Sequence, residues 1–331
     1  MDEVLAELRF DGLRYDFWQK VSIRESVDDL CASVQLGLTR PGTDEALGLT
    51  ANTVAEVLID NALVSTVRAD SLTRNTDATS TAIQLEARSL GRELVDCQYS
   101  QTLSGLTLAE IVKRLCGEFK VPVKIDAPTA VVPDFAMQCE SPANAILNAA
   151  RAANLLFYPT PEGGLILTTP SKAAPVATLR YGEHFTSYSI VDEFKLRFSE
   201  YFIKGYDYEG DSALSGRAKD SGIAFFRPMH IQADKHGQGL GGCERRAKME
   251  LDRRKARAHR IDLDIPGWRF QDASNAWQLW RINTQVRVII PHEGVEGVFL
   301  IGDRAFQLDD QKGSTTSLQV MPRDAFMGEA K

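Results

Sequence analysis

Three groups of residues have types that could do chemistry, and each can be weighed by its spacing. GQGLGG (residues 237–242) runs into a basic stretch and has the glycine content of a phosphate-cradling loop. Such a loop needs a GK[ST] ending, or a βαβ unit with a downstream acid, so that backbone amides converge on the anion. Cys243 and Glu244 follow instead, and the expectation is a flexible loop feeding a helix. His230, Asp234, His236 and Cys243 bring four potential metal ligands into fourteen residues. Zinc sites favour tighter pairs brought in from two elements, so these are expected to be exposed polar loop residues. Asp262 and Asp264 alternate with Leu263 and Ile265, which on a strand puts both carboxylates on one face. A solvated face explains them, because such acid pairs are common. GxSxG, HExxH and Ser-Lys patterns are missing from the chain. The residues therefore nominate no catalytic group, no metal ligands and no cofactor site, and the chain is expected not to be an enzyme.

The most unusual segment is basic. Residues 243–260, CERRAKMELDRRKARAHR, hold eight Lys/Arg against three acids, in a chain with 45 Asp+Glu and 38 Lys+Arg. At about 100° per residue, Cys243, Ala247, Leu251 and Ala258 share one narrow face. Arg245, Arg246, Arg253, Arg257 and Arg260 lie broadly opposite, with Lys248 and Lys255 on the flank. Arg254 falls inside the seam and is expected to snorkel or pair with an acid. Glu244–Lys248 and Glu250–Arg254 are i,i+4 pairs in the favourable order, each contributing about 0.2–0.5 kcal/mol. The helix is expected to pack by its small-residue seam and to present arginines to solvent or to an acidic neighbour.

The elements that carry these residues are mostly strands. A chain of 331 residues is expected to form two or three domains. A net charge of −7 argues against nucleic-acid binding as the main role. The N-terminal MDEVLAELRFDG lacks a basic then apolar leader pattern. The longest apolar runs, Val286–Pro291 and Val298–Gly302, are strand-sized, so no membrane insertion is expected. Five scattered cysteines without CxxC spacing suit free thiols in a reducing cytoplasm.

Residues 1 to 97 alternate as antiparallel strands, with a hairpin at Asp60–Asn61 and a last strand, TAIQLEARS, ending near LVDC. TLAEIVKRLCGEF spaces Leu108, Ile111, Val112, Leu115 and Phe119 helically behind a Thr107/Glu110 capping box. ANAILNAARAANL forms a second helix behind Ser141–Pro142, and FYPTPEGGLILTTP a hairpin at Glu162–Gly164. Residues 98–172 thus form a helix-bearing α/β domain. Strands return over 173–327, interrupted by a polar loop at DSALSGRAKDSG (211–222) and by the basic helix, and 328–331 are a tail. The two β-rich parts show no obvious sequence repeat.

An ordered set of motifs resembles the baseplate hub proteins of contractile-tailed bacteriophages, of the phage Mu tail-protein P type. That group is related to late control protein D and to the hub portion of type VI secretion spike proteins. FFRPMHIQAD (225–234), with Arg227 and Pro228, is similar to the family's extended Arg-Pro segment, and CERRAKMELDRRKA to its following helix. IPGW (265–268), with Gly267 and Trp268, resembles its Gly-Trp strand end. LWRINTQVRVIIP (279–291), with Trp280, resembles its Trp-then-strand segment. GVFLIGDRAFQLDDQKGSTTSLQVMPRDAF is similar to its closing hairpin, and EARSLGRELVDC (86–97) to the segment closing its first barrel. NAWQLWRIN departs from members that carry a glycine before the Trp.

The resemblance implies a mainly β fold with an α+β insertion: two tube-type β-barrels, 1–97 and 173–327, around the α/β domain. It implies a homotrimer whose six barrels form a pseudo-sixfold ring between the tail tube protein and the trimeric membrane-piercing spike. Other baseplate proteins would surround it, and DNA would at most pass through its channel. It places the protein in the virion tail baseplate, assembled in the host bacterial cytoplasm. No spike repeats follow residue 331, so a separate spike subunit is expected. The five opposite-face arginines are the candidate subunit contacts, and the five motif positions are expected to be structural. Two other roles fit less well: a hub in a phage-derived injection or secretion device, and a tail-associated cell-wall hydrolase. The hydrolase would need a carboxylate pair or a metal set in a cleft.

Overall fold

The computed structural model describes residues 6–41, 48–207, 211–232, 242–309 and 313–326. Seven strands come first: β1 (Ala6–Phe10), β2 (Leu13–Tyr15), β3 (Lys20–Ser26), β4 (Ser33–Pro41), β5 (Val54–Ile59), β6 (Ala62–Thr76) and β7 (Ser80–Ser89). β3 shows how they arise. In KVSIRES every second residue, Val21, Ile23 and Glu25, is buried, as a half-buried strand requires. The β5–β6 turn forms where expected, with Asp60 and Asn61 at φ of 50° and 63°. Those are the left-handed values a two-residue hairpin turn needs, and Asp and Asn tolerate them well.

The middle domain comprises α1 (Arg92–Asp96), β8 (Tyr99–Thr107), α2 (Leu108–Glu118), β9 (Val123–Asp126), β10 (Val131–Glu140), α3 (Pro142–Ala152), β11 (Leu156–Pro159) and β12 (Leu165–Thr168). α2 starts at the capping box. Thr107 accepts from the Glu110 N–H, and the Glu110 carboxylate accepts from the Thr107 N–H at 2.8 Å. α3 starts with Ser141 as N-cap and Pro142 in its first turn. This domain has its own core around Ile111, Val112, Leu115, Ile146, Phe157 and Leu167. LVDC is not a strand end, as the alternation suggested. Leu94, Val95 and Asp96 lie in α1, which turns the chain into this domain.

The last part holds β13 (Ala177–Arg180), β14 (Ser187–Asp192), β15 (Glu200–Asp207), β16 (Ser212–Lys219), β17 (Pro228–Gln232), α4 (Gly242–Arg257), β18 (His259–Pro266), β19 (Arg269–Gln271), β20 (Trp277–Leu279), β21 (Gln285–Ile290), β22 (Val295–Asp309) and β23 (Gly313–Met321). Two expectations are corrected here. The polar segment over 211–222 is largely strand β16, paired with β15 from Ser212 to Lys219. The basic helix stops at Arg257, and Arg260 belongs to β18.

Thirteen strands from the two β-rich parts form one sheet, in the order β14-β18-β23-β22-β3-β4-β7-β6-β5-β1-β2, with β21 also on β22 and β13 on β21. The sheet contains a duplication. In the first part the path is β3-β4-β7-β6-β5-β1; in the second it is β14-β18-β23-β22-β21-β13. Both visit their strands in the same chain order. Both long hairpins carry one extra residue at matching places. Asp70 is extra between the pairs Ala69–Ala87 and Ser71–Glu86, and Gly302 between Ile301–Val320 and Asp303–Gln319. The units differ in an insertion, since between β14 and β18 the second carries β15, β16, β17 and α4. They differ also at the outer strand, where β1 runs antiparallel to β5 but β13 runs parallel to β21, and in β2 and the β19–β20 hairpin, which have no counterpart among the described residues. One apolar core runs through both units, from Val21, Ile23 and Val34 to Ile261, Phe306 and Leu318.

Candidate assembly joint

The two units meet where β3 adds to the distal half of β22. Ser26 faces Asp303, Glu25 faces Arg304, and Ile23 faces Phe306, in antiparallel register down to Val21–Leu308. A buried ion pair sits in this joint. Arg304 Nη2 lies 2.9 Å from Glu25 Oε2, with both side chains almost fully enclosed. Burial pushes the Glu25 carboxyl above its ordinary range, against the pull of Arg304 and Arg281. Burial likewise lowers the Arg304 guanidinium. The same guanidinium stands 4.2 Å from the centre of the Phe306 ring and donates to the Trp280 carbonyl at 2.9 Å.

The motif tryptophans and glycine lie around this joint. Trp280 is buried and stacks on Phe270 with ring centres 4.2 Å apart. Trp268 is buried, and its Nε1–H donates to the carbonyls of Gln307 (2.9 Å) and Thr315 (3.1 Å) across the β22–β23 hairpin. Gly267 takes φ of 77° just after β18, a conformation glycine reaches without a Cβ penalty. Its carbonyl accepts from the Thr316 hydroxyl at 2.6 Å. Arg227 is tied to its own chain. It donates to the carbonyls of Arg197 and Lys195, both at 3.0 Å, and its guanidinium lies 4.9 Å from the centre of the Phe198 ring. Pro228 opens β17, a strand position that tolerates a missing N–H.

On the polar face of the joint a groove of about 490 Å³ is lined by Arg24, Asp29, Cys31, Asp262, Asp264 and Asp303, among others. The two alternating aspartates do share a face, and neighbouring strands satisfy them. Ser317 donates to Asp264 at 2.7 Å and Gln319 to Asp262 at 3.0 Å. Burial raises Asp303 and Asp29 above the usual carboxylate range, helped by the nearby Asp28. Burial pushes the Cys31 thiol up to about 12. A thiol held there stays protonated at neutral pH and is a poor nucleophile.

α4 packs on the small sheet through a close approach. A Cβ on Gly216 of β16 would sit 2.1 Å from the backbone carbon of Cys243, so only glycine lets the helix start against the strand. Cys243, Ala247 and Ala258 of the seam are buried, while Leu251 is half-buried. The seam arginine, Arg254, pairs with Glu250 at 2.5 Å.

The five opposite-face arginines separate. Arg245 is exposed and Arg246 half-buried. Arg253 turns inward, where burial, with Arg257 beside it, pulls its guanidinium down to about 10. Arg257 donates to both Asp28 carboxylate oxygens at 2.8 Å and to the Ala325 carbonyl at 2.9 Å. Arg260 lies 3.5 Å from Glu193 and 3.6 Å from Asp262. A helical wheel places these groups on one side but cannot show that this side meets β3 and the middle domain. Asp28 and Arg151, brought there by the chain's long-range fold, decide it.

His230 stacks on Phe202 at 4.8 Å and Cys243 is buried, while Asp234 and His236, like residues 237–241 of the glycine stretch, lie outside the described residues. Among the described residues no group of three or more His, Cys, Asp or Glu side chains could hold a metal ion. No helix among them is long and apolar enough to cross a membrane.

One feature escaped the sequence reading. Asn52-Thr53 and Asn283-Thr284 occupy the same place in the two units, before β5 and β21. Asn52 N–H donates to the Ala69 carbonyl and Ala69 N–H to Thr53, at 2.8 and 2.9 Å. Asn283 N–H donates to Ile301 and Ile301 N–H to Thr284, both at 2.9 Å. Both asparagines have positive φ, 76° and 56°. The visible signal was ANTVAEVLI (51–59) against INTQVRVII (282–290), a spaced likeness too short to stand out by itself.

Three family models match in chain order. The N-terminal model of the Mu phage baseplate assembly protein GpP-like family matches residues 6–89. The second-domain model of the baseplate hub protein gp44-like family matches 92–169, and the fourth-domain model of GpP matches 242–329. The baseplate hub protein gp44 of Escherichia phage Mu is 29% identical over 344 residues, covering 97% of this chain and 88% of the relative. The 43 kDa tail protein of prophage MuSo2 from Shewanella oneidensis superposes with a TM-score of 0.86 at 23% identity, over 97% of this chain and 99% of that one. The tail protein of Neisseria meningitidis MC58 gives 0.84 at 21%, over 96% of each chain. These two structures are similar in fold. The chain belongs to the Mu-type family of phage baseplate hub proteins.

Proposed function

We propose that the chain forms a homotrimeric, pseudo-sixfold ring in the tail baseplate, joining the tail tube protein on one side to the trimeric membrane-piercing spike on the other. The observation that carries this is the duplication: two units of the same strand order per chain supply six from three chains. Other baseplate proteins would pack around the ring, and Arg245 and Arg246 on α4 are proposed contacts to an acidic neighbour. The ring is assembled in the host cytoplasm and carried in the virion, and DNA at most passes through its channel. The role is structural. In the joint groove Ser317 and Gln319 hold Asp264 and Asp262 as parts of the sheet, and burial keeps the Cys31 thiol protonated at neutral pH, which supports that reading. Native mass measurement and electron micrographs of the chain mixed with its spike test this. Trimeric rings with a central channel are expected. A chain that stays monomeric with the spike present and clears peptidoglycan would sink it.

A further inference from the structure

The duplication leaves one joint made and its counterpart open. Along one edge of β22, residues 295–300 pair with β21 and residues 303–308 pair with β3. Along the equivalent edge of β6, residues 62–68 pair with β5. The remaining stretch, Ser71–Thr76, has no strand on that edge among the described residues. At the far end of the sheet, β14 is the counterpart of β3, and among the described residues it pairs only with β18. Among the described residues the counterpart joint thus has an unused acceptor edge, Ser71–Thr76, and an unused donor strand, β14. Exposure follows the same pattern. Residues 73–76 of β6 are exposed, whereas the β22 residues that β3 covers are buried or half-buried. β14, SYSIVD, has none of the Lys, Pro or bulge devices that protect a permanently open edge.

We infer that β14 of one chain adds, antiparallel, to the distal half of β6 of a second copy, in the register that β3 already takes on β22. The inference rests on the trimeric ring and gives it its seam. The matching bulges fix the register. Ser71 corresponds to Asp303, and Phe306 to Arg74. On the donor side Ile23 and Ile190 correspond, because they face Val34 and Ile261, which in turn face Ala87 and Val320. Since Ile23 faces Phe306, Ile190 faces Arg74, Val191 faces Thr73 and Ser189 faces Asn75. Asp192 then falls diagonally beside Arg74, near enough for opposite charges across strands to attract, at the point where Glu25 and Arg304 pair in the closed joint. Such a donor–acceptor contact is head to tail, and it closes into a ring rather than a filament if the rotation per unit closes.

The test uses the full chain with Thr73→Cys and Val191→Cys, in a Cys139→Ser background because Cys139 is an exposed free thiol. A control pairs Thr73→Cys with Ile190→Cys, whose side chain points to the other face. Mild oxidation of the purified protein and of tail particles carrying it should give reducible covalent trimers with the first pair and little product with the control. Independently, in the unaltered chain, amide exchange in 71–76 and 187–192 should slow together on assembly. Trimers by native mass without the in-register cross-link, or with fast exchange in both segments, overturn this seam and leave the ring standing. A chain that is monomeric in solution and in particles removes the ring and the seam with it.

Discussion

Asp28 shows how much one side chain can organise. It receives Arg257 from the second unit at 2.8 Å and lies 3.8 Å from Arg151 of the middle domain. Three parts of the chain therefore meet on one carboxylate. Asp77 does a smaller task of the same kind at the tip of the β6–β7 hairpin. Its Oδ1 accepts from the N–H groups of Thr79 and Ser80 at 2.7 and 2.8 Å. Those bonds, with the two hydroxyls, hold its carboxyl down at about 2 against an ordinary 3.8. A depressed carboxylate contributes stability that is present above the unfolded value and is lost as pH falls through the folded one. Asp77→Ala is therefore expected to lower the melting temperature near pH 6, with the deficit fading between pH 4 and about 2. Paired melts across that range check it, as does an NMR titration of Asp77.

Among the elements, the β3–β22 joint links the two strand units and the seat on β16 places α4. Gly216 admits α4 onto β16 where any side chain would collide with the helix backbone. In the joint, Glu25 and Arg304 are enclosed together, so removing one partner strands a buried charge. Loss of one member of such a pair typically costs about 3–5 kcal/mol, whereas replacing both with apolar residues of similar size is often neutral or better. Glu25→Ala is expected to destabilise by that amount in urea unfolding, and Glu25→Leu with Arg304→Met to recover most of it. A double variant no better than the single one would mean that the joint depends on the ion pair for its register.

For the whole molecule, the basic helix in an acidic chain is settled by its partners. Glu250 and Asp28 take up Arg254 and Arg257, and Glu193 and Asp262 stand close to Arg260. With a net charge of −7, the chain is expected to bind duplex DNA weakly. That binding should vanish between roughly 50 and 200 mM salt, as phosphate contacts made by few cations do. Anisotropy titration of a labelled duplex at those two salt levels checks this. Tight binding at the higher level would mean that Arg245, Arg246 and their neighbours form a continuous cationic surface.

Local physics was legible in the sequence wherever a few adjacent residues decide the outcome. Thr107 and Glu110 announced a capping box, Ser141–Pro142 a helix start and Asp60–Asn61 a hairpin, because caps and turns are made by neighbours. The ordered motifs also identified the family, since their spacing records one long fold. What the sequence could not decide was contact between distant residues. Arg257 looked outward on a helical wheel and turned inward because Asp28, over two hundred positions earlier, waits there. The polar segment over 211–222 became a strand because β15 lies beside it. The duplication stayed hidden because strand order and bulge position constrain backbone pairing, while many side-chain combinations can fill the same core. Only the tertiary structure placed Asn52 over Asn283, β3 over β14, and the closed joint over the open one.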